Sequence, residues 1–387
     1  MSVSSSKRIL VVDDDRLLAE MISKILAYAG YEVTIVTTAE EAYDLALREP
    51  PALLMTDILL PGIDGYTLSR RLRQDQALRQ LPILIVTGQY DVSDKIAGYE
   101  VAADGFLIKP FQPLDLLKRV DDMLAPAHQR DRYEEHSAHQ GRLIAVLGAK
   151  GGVGATTIAS NLAVLLRMHT GGQIILCDAD LYGGDAGLYL NVTSSRTLVS
   201  LAHAAEELSP SAVIPFLVPH PSGIQILVGP ACWEDISLVT SGWLQQVLVS
   251  LTNLSDYVLV DCQSWYDERT LAALRQADVV MLIVTPEIGP LKNLSLFLQR
   301  APDLGLSPDR IHLVLNHTNA DTGIDSKTIE HTLRRTIDLF VFSGGRAVVS
   351  STNRGVPLVL EQPAHPFAQQ MEQIAAYVIA AASDVKR

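Results

Sequence analysis

Cysteine is scarce in this chain. The three present, Cys177, Cys232 and Cys262, are too few and too dispersed for a disulfide framework or a C-x-x-C metal site. Cys177 and Cys262 each adjoin an aspartate at the end of an apolar run and read as small buried residues rather than redox groups. Long hydrophobic runs are also missing. None approaches the roughly 20 residues of a membrane span, and the N-terminus lacks a signal peptide's apolar core, so a cytoplasmic protein with no integral membrane segment is expected. Positive charge is in deficit throughout: the net charge is −13, with 13 Lys/Arg against 19 Asp/Glu in residues 1–124 and 16 against 22 in residues 142–387. Nucleic-acid binding favours a basic stripe, and none is visible. Arg334, Arg335, Arg346 and Arg354 read as scattered surface arginines. No internal repeat appears.

What is present is a regular alternation of short apolar strands with amphipathic helices, which predicts α/β architecture: two doubly wound parallel sheets with ligands outside the carboxyl ends of the strands. The strands are expected near 7–12, 33–36, 53–56, 83–86 and 105–108, then near 143–147, 174–177, 257–261, 279–284 and 311–315. Residues 125–141, with no apolar periodicity, read as a linker between domains at 1–124 and 142–387, and the three linker histidines as solvated. Near the C-terminus Phe367, Met371, Ile374 and Val378 form an apolar stripe opposite glutamines and alanines. That pattern suits a helix closing a core better than one lying on a membrane.

The run Lys150-Gly151-Gly152-Val153-Gly154-Ala155-Thr156-Thr157 joins a strand to a helix. Its glycines let backbone N–H groups converge on a phosphate at a helix N-terminus, and Thr156 can offer its hydroxyl to Mg²⁺. The usual lysine that reaches the β- and γ-phosphates is replaced by Ala155, which removes one cation and argues for slow or absent hydrolysis. Asp178 and Asp180 follow one apolar strand, Asp261 ends another, and Asn316 ends a third.

With its early lysine, the loop is similar to the deviant Walker motif of the MinD/ParA ATPases, and the resemblance extends over residues 142–387. It implies ATP and Mg²⁺ as ligands and a homodimer that sandwiches ATP, with Lys150 reaching the nucleotide of the other subunit. By the same resemblance Asp178 and Asp180 belong to switch I, Asp261 holds Mg²⁺ through water, and Asn316 reads the adenine edge. Asp180 is the candidate for positioning water if hydrolysis occurs. The family's small residue and proline after the Walker-B aspartate are replaced by Cys262-Gln263-Ser264.

In the first half Asp13 and Asp14 close one strand and Asp57 another. Three carboxylates at neighbouring strand ends repel one another unless a cation such as Mg²⁺ lies between them. Thr87 and Lys109 end the next two strands, and a hydroxyl and an ammonium suit a phosphoryl group, which adds roughly 1.5 to 2 negative charges. This half resembles the receiver domain of response regulators. The resemblance implies that Asp57 is the phosphoacceptor, Asp13 and Asp14 hold Mg²⁺, Thr87 and Lys109 engage the phosphoryl group, and Phe106 is the switch aromatic. The Lys109-Pro110 bond is a candidate for the cis form. A cognate histidine kinase or other phosphodonor follows as a partner.

A receiver followed by a MinD-like domain lacking the second loop lysine looks like the TadZ/CpaE group, which helps localise Tad/Flp (type IVc) pilus secretion machinery at cell poles. Asp178-Ala179-Asp180-Leu181-Tyr182-Gly183-Gly184-Asp185 is similar to that group's D-x-D-x-x-x-G-D stretch. Its receivers are often degenerate, whereas this one keeps every active-site position. The alternatives are a two-component-controlled ParA-like protein acting on DNA partitioning or transcription, and an ATPase that places flagella.

Overall fold

The computed structural model describes residues 8–79, 81–88, 103–124, 140–205, 208–230, 235–264 and 266–384. Most of the expected linker, 125–139, lies outside the described residues, as does Cys232. The chain divides into two compact units, one built mainly from Met1–His128 and the other mainly from Gln129 onward.

Five parallel strands form the sheet of the first unit: β1 (Arg8–Val12), β2 (Glu32–Val36), β3 (Leu53–Asp57), β4 (Ile83–Thr87) and β5 (Gly105–Ile108), in the order β2-β1-β3-β4-β5. Alternation along each strand fills both faces. Ile9 and Val11 pack with Leu53 and Met55 beneath the helices Arg16–Tyr28 and Pro113–Leu124, while Leu10 and Val12 pack with Leu54 on the other face with Leu68 and Leu72 of helix Gly65–Gln74. Asp15, Thr38 and Asp64 cap three of the helices through side-chain oxygens, each such cap contributing about 1 kcal/mol.

The second unit is an eight-stranded sheet. Its strands are β6 (Arg142–Gly148), β7 (Ile174–Asp178), β8 (Val218–Pro219), β9 (Gln225–Leu227), β10 (Tyr257–Cys262), β11 (Val279–Val284), β12 (Ile311–Leu315) and β13 (Leu339–Phe340). The order is β13-β12-β11-β6-β10-β7-β9-β8, and every pairing is parallel except β8 with β9. Leu143, Ala145 and Leu147 of β6 enter one core, and Ile144 and Val146 enter the other. Helix Ala155–Thr170 lies in the second core and is buried along nine consecutive residues, Ile158–Leu166. Helix Pro366–Asp384 packs against it through Phe367, Met371, Ile374 and Val378, so the expected core-closing role is what the structure shows. Among the described residues no helix is long and apolar enough to cross a membrane.

All ten expected strands are present. The short β8, β9 and β13, on the outer edges of the second sheet, were not anticipated.

Candidate functional sites

In the first unit β1, β3, β4 and β5 deliver Asp13, Asp57, Thr87 and Lys109 to the carboxyl end of the sheet. Carboxylate oxygens of Asp13, Asp14 and Asp57 lie within 4.8 Å of one another. Lys109 Nζ donates to Asp57 Oδ2 at 2.6 Å and to Asp13 Oδ2 at 3.0 Å. The other Asp57 oxygen accepts from the Ile58 and Leu59 N–H groups, at 2.6 and 3.3 Å, which fixes the carboxylate's orientation. Burial raises the Asp13 carboxyl above its ordinary value even though Lys109 pulls it down. Burial disfavours the Lys109 ammonium, but bonds to Asp57 and Asp13 outweigh this and hold its pKa above the usual lysine value. Asp14 is exposed, Thr87 is buried beside the site, and Phe106 is buried in the core with Ile83 and Ile85. The Lys109-Pro110 bond is cis. With one cation already between two of its carboxylates, the cluster still carries excess negative charge, and the oxygen-only donor set with an exposed Asp14 fits Mg²⁺.

Gly65 completes this geometry and was missed in sequence. A Cβ there would lie 2.0 Å from the Asp57 carbonyl oxygen, and the Gly65 N–H donates to Ile58 O at 2.9 Å. Only glycine lets helix Gly65–Gln74 start against the Asp57 backbone. The available signal was Asp64-Gly65, a cap followed by a residue without a side chain.

In the second unit the loop after β6 reverses at Gly152 and Gly154, with φ of +86° and +92°, in the left-handed region that favours glycine. Space is open around Gly151 and Gly152. Helix Ala155–Thr170 begins with no side-chain cap and no acidic residue in its first turn, so its leading N–H groups and positive dipole end are free for an anion. Val153 is buried, and Ala155, Thr156 and Thr157 are half-buried along the helix start. Lys150 is exposed, with Nζ 3.6 Å from where a Cβ on Gly289 would stand.

Asp178 and Asp261 are opposite one another on adjacent strands, both essentially inaccessible. Asp178 accepts from Ala186 N–H at 3.1 Å and Asp180 N–H at 3.3 Å. Gly184 and Gly229 leave room for it: a Cβ on Gly184 would stand 2.4 Å from its Oδ1, and one on Gly229 3.0 Å from its Cγ. Neither oxygen of Asp261 has a hydrogen-bond partner. The Thr156 hydroxyl lowers its pKa by proximity, short of hydrogen-bond geometry, but burial dominates and pushes the Asp261 carboxyl up to about 7. Burial, and then the charge of Asp261, raise Asp178 as well. Asp180 is half-buried, its Oδ1 turned to the Tyr182 and Gly183 N–H groups at 3.2 and 3.1 Å. A buried carboxylate with no donor beside a threonine hydroxyl and an uncapped helix start fits a phosphate-bound Mg²⁺, with Thr156, Asp178 and Asp261 as the residues that would hold it.

Asn316 is 4% exposed, and its amide is engaged with backbone. Nδ2 donates to Val153 O at 2.9 Å and Oδ1 accepts from the His317 N–H at 2.9 Å, so the side chain braces the loop and keeps one Nδ2 hydrogen uncommitted. Two of the arginines weighed for nucleic-acid contact are also engaged: Arg354 pairs with Glu361, and Arg335 donates to the Pro308 and Ile311 carbonyls.

A family described as the response regulator receiver domain matches residues 9–121, and one described as an AAA domain matches residues 141–304. Among curated proteins, the DNA-binding dual master transcriptional regulator RpaA of Synechocystis is 36% identical over 130 residues, 34% of this chain and 54% of that regulator. The chain therefore spans about half the length of the curated relatives it matches. A ParA family ATPase from Chlorobium tepidum superposes with a TM-score of 0.58 at 22% identity, covering 61% of this chain and 99% of that one. The septum site-determining protein MinD from Pyrococcus horikoshii, solved with Mg-ADP, superposes with a TM-score of 0.55 at 23% identity, covering 63% and 100%. The strand orders, the site geometry and these likenesses lead to one description: this chain joins a response regulator receiver domain to a P-loop domain with the MinD/ParA-like fold.

Proposed function

We propose that the protein is a phosphorylation-regulated, nucleotide-dependent dimeric switch with weak or absent ATP hydrolysis. The observation that carries the reading is the orphaned Asp261 carboxylate beside Thr156 and an uncapped loop-to-helix turn, an arrangement suited to a cation and an anion together. Bound Mg²⁺ would supply positive charge between the carboxylates and the phosphates. The chain's own part is to grip the phosphates through loop amides and to hold the cation through Thr156, Asp178 and Asp261. Ala155 leaves the site one cation short, which favours binding over turnover. Lys150 is exposed at the mouth of the loop, and Ile288 beside Gly289 is 79% exposed, features that suit a second copy closing over the nucleotide. A ligand held by both copies stabilises only the associated form. Asp57 is the phosphoacceptor in this reading, with Lys109 and Thr87 receiving the phosphoryl group from a histidine kinase or another donor. The domains are taken as 1–124 and 142–387 with a linker at 125–141.

Light scattering after gel filtration tests the switch. Mg·ATP is expected to double the mass of the wild type and to leave Lys150→Ala monomeric; equal masses for both proteins with and without nucleotide would remove the shared-lysine dimer. Turnover should be very slow, and rates comparable to lysine-containing P-loop ATPases would overturn the reading of Ala155. At the level of the cell, the fusion of a receiver to a P-loop domain with a lysine-deficient loop supports a TadZ/CpaE-like role in placing a Tad/Flp pilus secretion machine at the pole, and the completeness of this receiver is its departure from that group. Adjacent pilus secretion genes would support it; adjacent flagellar export genes or a partition site would replace it.

A further inference from the structure

We propose that Gln263 is a nucleotide-sensing residue whose side-chain carbonyl holds a cation-bound water at the terminal phosphate, next to the water held by Asp261. The proposal rests on the nucleotide reading above and names a residue that the family resemblance does not supply, since a proline is usual there.

Gln263 directly follows β10, which runs beside the loop-bearing strand β6 with Cys262 opposite Leu147. It therefore stands level with the start of the phosphate loop. The next residue keeps the chain close to that loop: Ser264 Oγ lies 3.1 Å from where a Cβ on Gly148 would be. Val258, Val260 and Cys262 enter one core and Leu259 the other, the core that contains helix Ala155–Thr170. Alternation puts Asp261 on the helix side, beside Thr156, and Gln263 follows two residues on, directly past the strand's end.

The side chain is 3% exposed, and its Oε1 has no hydrogen-bond partner. Both oxygens of Asp261 share that condition. Buried polar atoms in folded proteins are nearly always satisfied, so three acceptors without donors within three residues call for a donor that binding supplies. A phosphate oxygen cannot be that donor, because it only accepts. Water on a divalent cation can, since its lone pair faces the metal and both hydrogens remain to be given. The Gln263 amide also has N–H groups to offer a phosphate oxygen, so one side chain can bridge water and phosphate. With Ala155 in place of an ammonium, such a bridge is a natural way to register the last phosphate.

The test uses the full chain and fluorescent ATP and ADP analogues, with Mg²⁺ titrated at fixed nucleotide. Gln263→Leu keeps an apolar stem and removes the acceptor and the N–H groups, and Gln263→Glu keeps an acceptor. For Leu, the Mg²⁺ concentration giving half-maximal ATP binding should rise about tenfold, the scale of one lost hydrogen bond, with the ADP titration nearly unchanged. Glu, which keeps the acceptor and adds negative charge toward the cation, should need no more Mg²⁺ than the wild type. Should Leu fail to fold, Gln263→Met carries the same expectation. Equal Mg²⁺ requirements and equal ATP-to-ADP preference in wild type and Leu would overturn the role of Gln263 while leaving nucleotide binding intact. A wild type that binds neither nucleotide overturns the function proposed above and this role with it.

Discussion

Replacing Asp261 by asparagine should stabilise the ligand-free protein at neutral and alkaline pH while abolishing its stabilisation by Mg·ATP. The wild-type carboxyl is fully buried, has no hydrogen-bond partner, and titrates near 7 rather than at 3.8. At about 1.36 kcal/mol per decade of proton affinity, ionising it in the folded state costs about 4 kcal/mol, an upper bound because Asp178 shares the burden. The sign follows from linkage. Between pH 3.8 and 7 the folded chain keeps a proton that the unfolded chain has lost, so stability declines as pH rises through this window and levels off above it. Asparagine is neutral throughout and escapes the decline.

Urea denaturation of both proteins at pH 5 and pH 8 without ligand reads the effect directly. The advantage of Asp261→Asn should grow by a few kcal/mol from pH 5 to pH 8, and repeating the pH 8 measurement with millimolar Mg·ATP should reverse the order. An advantage that does not change with pH, or a variant stabilised by Mg·ATP as strongly as the wild type, would refute the argument that the orphaned carboxylate awaits a cation.

Asp57→Asn should block covalent phosphorylation by a small acyl phosphate, read by intact mass. Lys109→Met should slow the same reaction about ten- to hundredfold, the scale of one charge-assisted hydrogen bond. Gly65→Ala should destabilise the receiver by about 1–3 kcal/mol in chemical denaturation and lower phosphorylation in parallel, since the added Cβ meets the Asp57 carbonyl at 2.0 Å. Burial lowers the pKa of His312, which bonds Tyr377 Oη at 2.9 Å, so the unfolded chain takes up a proton first as pH falls below 6.5 and stability is lost. Melting curves of His312→Asn should lack that part of the acid sensitivity.

The long central strands were legible because their physics is local. Strands buried on both faces read as unbroken apolar runs, and the aspartates, threonine and lysine that end them interrupt the pattern where ligands bind. The short outer strands were not legible: β8, β9 and β13 have two or three residues each and carry no period, and β9 and β13 are held by β7 and β12, which are distant in sequence. Site residues divided in the same way. Asp57 and Asp261 announce themselves at strand ends, whereas the requirement for glycine at 65 and 229 depends on the carboxylates those positions face across the fold. Asn316 was picked out for its position, but its bond to the Val153 carbonyl spans 163 residues and is invisible to any local pattern. Gln263 shows in sequence only as a residue in place of the usual proline, and the unpartnered state of its buried oxygen is a property of the fold.

The two sites solve one electrostatic problem in opposite ways. In the receiver, Asp13 and Asp57 share the Lys109 ammonium, so the cluster is part neutralised before any ligand arrives, and Asp14 remains exposed to draw a cation from solvent. A phosphoryl group, if Asp57 accepts one as proposed, would add charge to a site that already holds an internal cation. In the P-loop domain Asp178 and Asp261 face each other across paired strands, Ala155 contributes no charge, and burial raises both carboxyls. Burial thus favours the protonated carboxyls in the ligand-free domain, and Mg·ATP, bound as proposed, would displace protons from them. Nucleotide uptake by this domain should therefore release protons and tighten as pH rises through 7, while phosphorylation of the receiver, set by an ammonium that stays charged, should not follow that profile. Calorimetric titration of Mg·ATP in two buffers of different ionisation enthalpy measures the release. Identical heats in both buffers at pH 6.5 would mean that the carboxylates are already ionised and that their charge is balanced by a route other than the proton.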